Sequence, residues 1–224
     1  RLLLDAADLN ALDVVLEVGT GTAGLTVHLA RRAAAVVTVE VDRLLAQLAS
    51  EELFDYPNVT LLKQDALRNK NHIDPIVFET VKQQLAVSPD RTFKLVANLP
   101  YNVATPIISN MLSSETIPSV MVVTIQKELG ERIMARPSTK DYSALSIWIQ
   151  SQCRVELIRV LPPSAFWPRP KVSSAIIRID YDPELAGRIV DLDFFHMFVR
   201  ALFFHRRKFL RSVIASAFKK QIEK

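Results

Sequence analysis

The tetrad Asn98-Leu99-Pro100-Tyr101 and the glycines Gly19, Gly21 and Gly24 are the parts of this chain whose residue types and spacing can do chemistry. In the tetrad a side-chain amide oxygen (Asn98) and a backbone carbonyl (Leu99) precede a proline, which fixes φ and so the direction of those carbonyls. Two converging acceptors suit a group with two N–H bonds. Tyr101 adds a flat face for a stacked base, worth about 1–3 kcal/mol in single-strand binders. The exocyclic amine of adenine fits both features. Its lone pair is delocalised into the ring, and acceptance of both N6 hydrogens by Asn98 and Leu99 draws the nitrogen toward tetrahedral geometry, with the lone pair aimed at an electrophile. Positioning carries such a reaction, without a metal or a general base. The competing reading is a strand-ending turn with a buried asparagine.

The segment Val14-Val-Leu-Glu-Val-Gly-Thr-Gly-Thr-Ala-Gly-Leu-Thr26 reads as strand, tight turn and helix start with G-x-G-x-x-G spacing. Glu40 follows about 20 residues later, at the end of the second strand, where an acid can take a pair of ribose hydroxyls. Only 5 glycines occur in the chain, and clustering three of them here argues against a turn used for packing alone. Two ligands remain open. NAD would place its pyrophosphate on backbone N–H groups at the helix N-terminus; S-adenosylmethionine would lay an amino acid moiety and a ribose there. Glu17, two residues before Gly19, would repel a pyrophosphate and can orient a cationic amine, which tilts the choice toward S-adenosylmethionine. Asp65, in Lys63-Gln-Asp-Ala66 at the end of the third strand, stands where it can take an adenine amino group; its spacing suits a helix N-cap equally well.

Short β-branched runs alternating with helical-period segments would position these groups, the pattern of an α/β sheet with crossover helices. Strands are expected at Val14–Val18, Val36–Val41, Val59–Lys63, Phe93–Asn98 and Val120–Gln126. Helices are expected near Gly24–Arg32, Arg43–Leu53, Pro75–Val87, Thr105–Leu112, Lys127–Met134 and Tyr142–Gln152. Strands apolar at nearly every position are expected for a parallel sheet covered on both faces. Two further runs, Val155–Leu161 and Ser174–Tyr181, have no helix between them and are linked through Pro162, Pro163, Pro168 and Pro170. They are expected as a terminal antiparallel pair, giving a mostly parallel sheet of seven strands. Asp182-Pro183 to Gly187 marks a boundary, with residues 1–183 as the catalytic domain and 184–224 as the start of a small basic helical domain.

The charge is uneven. The 224 residues sum to +4, yet Arg200–Lys224 holds eight Lys/Arg against Glu223 alone, so that segment is +7 and residues 1–199 are −3. A local basic patch favours a polyanionic partner over a generally sticky surface. Arg206, Arg207, Lys208 and Arg211 are candidates for phosphate contacts, with Arg169 and Lys171 beside the base pocket; a solvated helix face is the plainer alternative. His205 beside the run has no role in the chemistry proposed. The stripe Phe194, Phe195, Phe198, Leu202 and Phe203 reads as packing. One cysteine, Cys153, rules out an internal disulfide, and four scattered histidines give no metal-ligand spacing. A cytoplasmic, monomeric, metal-free protein without a membrane span or signal segment is expected. The first residue is Arg1 rather than Met, so a longer protein is expected.

Taken together, these motifs resemble the ribosomal RNA adenine dimethyltransferases (the KsgA group), which share a pattern with the erythromycin-resistance methylases. The likeness runs through nearly the whole chain: Glu17-Val-Gly-Thr-Gly21, Val39-Glu-Val-Asp42, Gln64-Asp-Ala-Leu67, Asn98-Leu-Pro-Tyr-Asn102, Gln126-Lys-Glu128, Pro162-Pro-Ser-Ala-Phe166, Pro170-Lys-Val-Ser-Ser-Ala175 and His205-Arg-Arg-Lys208. The first is common among methyltransferases; the proline-rich and Arg-Arg-Lys blocks are far more specific. The resemblance implies a Rossmann-like class I methyltransferase domain using S-adenosylmethionine, with a helical C-terminal domain. It also implies transfer of two methyl groups to N6 of each of two adjacent adenines near the 3′ end of small-subunit ribosomal RNA, during assembly of the subunit. By position, Gly19, Glu40, Asp65 and Asn98 would contact the cofactor, and Glu17, Gly21 and Ala66 beside them are further candidate cofactor-binding residues. Asn98 to Tyr101 would be catalytic, and Phe166 would face the target base opposite Tyr101. Thr20 stands where the family usually has proline and Ser143 where it often has glycine. The family's Gln-Asn-Phe-Leu segment would precede Arg1, and its helical domain would continue past Lys224. Three alternatives stay open: an assembly or transcription factor of this fold without turnover, a methyltransferase for another nucleic-acid adenine, and an NAD-dependent oxidoreductase.

Overall fold

The computed structural model describes residues 2–70, 72–204 and 208–215. Its aliphatic runs form seven strands of one sheet: β1 (Asp13–Val18), β2 (Ala35–Val39), β3 (Val59–Leu62), β4 (Thr92–Asn98), β5 (Val120–Gln126), β6 (Cys153–Leu161) and β7 (Ser174–Tyr181). Their spatial order is β3-β2-β1-β4-β5-β7-β6. The first five pair in parallel. The expected antiparallel pair is present, but β7 enters between β5 and β6 and is antiparallel to both. So β6 runs with the first five strands, and β7 alone is reversed. Side chains explain the insertion. Strand β7 buries Ala175, Ile176, Ile177 and Ile179, whereas β6 exposes Arg154, Glu156 and Arg159 and takes the edge, where charges discourage further pairing.

The sheet is accompanied by helices α1 (Leu2–Ala7), α2 (Gly24–Ala30), α3 (Arg43–Glu52), α4 (Pro75–Leu85), α5 (Ala104–Met111), α6 (Lys127–Ile133), α7 (Ala144–Gln150), α8 (Pro183–Ala186) and α9 (Leu192–Phe204), a short 3₁₀ helix (Pro163–Ala165) and a small hairpin, Leu67–Asn69 with His72–Ile73. Asp42 caps α3, Asp74 caps α4 ahead of Pro75, and Asp182 caps α8, each supplying an acceptor to first-turn N–H groups. Because side chains alternate along a strand, Val14, Leu16 and Val18 of β1 join the core under α4, α5 and α7, while Val15 joins the opposite core with Leu4 of α1 and Leu29 of α2. Glu17 shares the face of Val15.

Helix α1 has no counterpart in the sequence pattern because six residues are too few for a periodic signal. Distant cations hold it. Lys94 Nζ donates to the carbonyls of Ala7 (3.2 Å) and Asp8 (2.8 Å) and pairs with buried Asp13 at 2.9 Å; Arg178 Nη1 donates to Ala6 O at 2.6 Å. These satisfy orphan carbonyls at the negative end of the helix.

Helix α9 lies on α7, where Trp148 stacks on His196 (centroids 4.2 Å apart) and meets Phe195. Phe195 and Val199 pack inward and Phe203 meets the edge of Tyr142, whereas Phe194 stays half exposed against Phe198. Cys153 is buried, and burial pushes its thiol up to about 12, which leaves it inert as a nucleophile. Among the described residues no helix is long and apolar enough to cross a membrane, and no group of three or more His, Cys, Asp or Glu could hold a metal ion.

Candidate active site

The carboxyl ends of β1, β2, β4 and β5 converge on one edge of the sheet, where open α/β folds bind ligands. Strand β1 leads directly into Gly19 (φ +88°) and Gly21 (φ +56°), left-handed conformations that favour glycine. The third left-handed residue is Ala23 (φ +65°), the N-cap of α2. Gly24 is an ordinary first helical residue, and a Cβ there would meet open space. The motif's third glycine is therefore not demanded by this geometry. At Gly19 the demand is double, because an added Cβ would lie 3.2 Å from both Cδ and Cγ of Pro100. The glycine loop and the Asn98–Tyr101 turn are in direct contact.

The loop's own N–H groups are largely consumed. Gly19 N and Thr20 N donate to Val39 O (2.9 and 3.3 Å), Gly21 N to Glu40 Oε2 (2.8 Å) and Ala23 N to Thr20 O (3.0 Å). Glu40 Oε1 accepts from Asp42 N at 2.9 Å. Glu40 thus ties the loop to the end of β2, and each of its oxygens keeps a further lone pair for a ligand hydroxyl. Beneath the loop Glu17 is only 1% exposed, and its Oε2 accepts from Thr26 and Thr38 hydroxyls, each at 2.6 Å. Thr20 Oγ1 lies 2.6 Å from Thr38 Oγ1 and extends this chain, which gives the residue standing in place of the family's proline a bonded role. Sequence reasoning missed these three threonines. The readable signal was one hydroxyl, Thr38, inside an otherwise apolar strand.

Burial raises Glu17 to about 7, against the lowering effect of the Thr26 and Thr38 hydrogen bonds and with a contribution from Glu40. The folded chain therefore holds a proton that the unfolded chain releases above about pH 4.5, so stability is full below that value and declines as pH rises toward 7. The decline is about 3 kcal/mol, or roughly 5–10 °C in Tm. Glu17→Gln, neutral throughout, is expected to flatten it; thermal melts of the unliganded protein between about pH 5 and about pH 8 check this.

Strand β4 is buried along most of its length and ends on exposed Asn98. The Asn98 carboxamide makes no hydrogen bond among the described residues. Leu99 is buried, and its N–H donates to Thr124 O at 3.1 Å, while Pro100 O accepts from Val103 N and Ala104 N (both 3.1 Å) and starts α5. Asn98 and the Leu99 carbonyl are thereby held at the strand end as available acceptors. The Tyr101 hydroxyl lies 2.7 Å from Ser174 Oγ at the start of β7, which fixes the ring. Tyr101→Phe removes that anchor and keeps the stacking face, so methyl transfer is expected to fall about 2- to 10-fold, in line with a neutral hydrogen bond; Tyr101→Ala should fall further in the same assay.

Register carries the proline-rich loop to the same edge: Leu161 pairs with Ser174, Ser174 with Gln126, and Lys127 N donates to Ser173 O at 2.9 Å. Half-buried Phe166 and exposed Arg169 and Lys171 stand on this loop. Asp65 is exposed and is not a helix N-cap: Oδ1 accepts from Leu67 N (2.9 Å) and opens the hairpin, while Ala66 is buried with its carbonyl accepting from Asp74 N. Lys208 and Arg211 are exposed; Arg206, Arg207 and the neighbouring His205 lie outside the described residues. A cleft of about 1480 Å³ runs from Asp65 and Asn102 along α4 and α5 to Arg200. It meets the site only at that end, and Gly19, Glu40 and Asn98 lie outside it.

Comparison with known proteins agrees with this arrangement. The family described as ribosomal RNA adenine dimethylase matches residues 2–224. A ribosomal RNA small subunit methyltransferase A of Clostridium perfringens is 39% identical over 210 residues, spanning 94% of this chain and 70% of the relative. The protein of that name from Alkaliphilus metalliredigens is 36% identical over 214 residues, spanning 96% and 71%. Among solved structures, a dimethyladenosine transferase from Plasmodium falciparum superposes with a TM-score of 0.80 at 25% identity, covering 98% of this chain and 74% of that one. The 23S rRNA methyltransferase ErmE gives 0.69 at 25% identity, covering 96% and 80%. With its glycine loop packed on an Asn-Leu-Pro-Tyr turn and its likeness extending through the sheet and beyond it, this chain belongs to the ribosomal RNA adenine dimethylase family.

Proposed function

We propose that this protein transfers methyl groups from S-adenosylmethionine to the N6 amines of two adjacent adenines near the 3′ end of small-subunit ribosomal RNA, in the cytoplasm and during subunit assembly. The observation that carries this reading is the contact of Gly19 with Pro100, which joins a cofactor loop to a pair of amine acceptors. The engaged N–H groups of Gly19, Thr20 and Gly21 count against a pyrophosphate, which needs such donors free. The chemistry of the site fits S-adenosylmethionine: Glu40 for the ribose hydroxyls, Asp65 and Ala66 at the adenine end, and Glu17 on the side of the cationic amine.

S-adenosylmethionine supplies an electrophilic methyl group on a sulfonium. The chain's part is positioning. Asn98 Oδ1 and the Leu99 carbonyl accept the two N6 hydrogens, Pro100 keeps those acceptors in place, and Tyr101 and Phe166 hold the extruded ring. With both hydrogens accepted, the N6 lone pair is aimed at the methyl carbon; the bound cofactor would give up its methyl group and leave as the neutral thioether, and the surplus N6 proton would pass to solvent without a protein base. Extrusion of the base costs a few kcal/mol; phosphate contacts from Arg169, Lys171, Arg206, Arg207, Lys208 and Arg211 offset it. Residues 1–183 form the catalytic part in this reading and 184–224 begin the RNA-gripping helical part.

Incubation with tritiated S-adenosylmethionine and undermethylated small subunits tests the substrate. Label is expected in ribosomal RNA near its 3′ end. Label confined to DNA or protein would overturn the assignment, and binding of NADH without S-adenosylmethionine would overturn the cofactor.

A further inference from the structure

We propose that Trp167 is a stacking platform for the RNA base next to the target adenine. The inference rests on the RNA-methyltransferase reading and adds a contact to it. Trp167 is 95% exposed, and its ring stacks on no other aromatic among the described residues. The chain's second tryptophan, Trp148, is 2% exposed and stacked on His196, so it is spent on packing.

The loop carrying Trp167 is built to hold a ring still. Its twelve residues between β6 and β7 include four prolines, which restrict the backbone, and both ends are paired at the carboxyl edge of the sheet near Asn98. Phe166 is extended (φ −126°, ψ 151°), so consecutive side chains leave opposite sides of the backbone. Phe166 is half-buried and Trp167 faces solvent. Two adjacent aromatic rings therefore serve two different bases.

Charge identifies the occupant. Residues 162–173 contain no acid and two cations, Arg169 and Lys171, both exposed. An exposed ring interleaved with cations suits a single nucleic-acid strand, with phosphates on the cations and a base on the ring. Extruding one adenine also deprives its neighbour of a stacking face, which the indole replaces.

The test uses Trp167→Ala and Trp167→Phe in the full-length protein, with immature small subunits and with a stem-loop RNA carrying two adjacent adenines. Trp167→Ala is expected to raise KM for subunits and Kd for the stem-loop about 5- to 150-fold, with S-adenosylmethionine affinity and Tm unchanged, and Trp167→Phe should restore most of the loss. Tryptophan fluorescence should be quenched by the stem-loop in the wild type and much less in Trp167→Phe. An abasic site beside the target adenine should weaken the wild type while adding nothing to Trp167→Ala. Unchanged KM and Kd in Trp167→Ala, or full additivity with the abasic site, overturns the platform while leaving RNA methylation standing. A defect seen with subunits and absent with the stem-loop overturns it in favour of a protein contact. Failure of the wild type to label RNA at all overturns the underlying reading instead.

Discussion

Asn98→Ala is expected to lower methyl transfer about 10³-fold while leaving S-adenosylmethionine and RNA affinities near wild type. The reason lies in where the side chain sits. Strand β4 is buried along most of its length and delivers Asn98, exposed, to the sheet edge, so alanine opens no cavity in the core and breaks no hydrogen bond among the described residues. In the proposed mechanism what it removes is an acceptor whose value is greatest as the N6 nitrogen becomes tetrahedral and its hydrogens become more acidic. An interaction that strengthens in the transition state appears in kcat rather than in binding. Single-turnover methylation of saturated complexes, with calorimetric titration of the cofactor, separates the two. A loss confined to KM would show Asn98 to be a binding residue.

Gly19→Ala is expected to reduce transfer by about 10²-fold or more and to weaken cofactor binding with it, because one methyl group disturbs both halves of the site. The backbone at φ +88° resists a Cβ at about 1–3 kcal/mol. That Cβ also presses at 3.2 Å on the Pro100 ring, which is stiff and can yield only by moving the turn that aims Asn98 and the Leu99 carbonyl. Gly24→Ala is the matched control: its Cβ meets open space, and alanine at a compatible helical position is neutral or stabilising by about 0.4–1 kcal/mol. Equal losses from the two substitutions, in side-by-side methylation and cofactor-binding assays, would contradict the claim that the Gly19–Pro100 contact couples loop to turn.

Much of the fold was legible because aliphatic runs such as Val120–Ile125 can satisfy their side chains only as strands covered on both faces. The geometry of the candidate site was legible where it is local: Asn98 to Tyr101 is one turn, and Gly19 and Gly21 take the left-handed φ angles that favour glycine. Long-range contacts were not. Helix α1 depends on Lys94 and Arg178, far along the chain, and the insertion of β7 beside β5 depends on which of two strands is the more apolar. The support beneath the loop joins Glu17, Thr20, Thr26 and Thr38, whose spacing matches no single periodicity. The glycine motif misled in one detail, since the left-handed residue before α2 is Ala23 and Gly24 is conformationally ordinary. Asp65 was ambiguous in sequence because an N-cap and a hairpin-opening acceptor use the same local hydrogen bond.

In the proposed mechanism the Asn98–Leu99 acceptors, held against the Gly19 loop, direct a methyl group to one atom, N6 of adenine. Nucleoside analysis of undermethylated small-subunit RNA after incubation with protein and S-adenosylmethionine tests it most directly. Dimethylation at N6 of two adjacent adenines is predicted for the wild type, with N6 methylation slowed about 10³-fold for Asn98→Ala at matched cofactor occupancy. Methyl groups on a ring nitrogen or another base, or undiminished N6 methylation by Asn98→Ala, would show that these acceptors do not select N6.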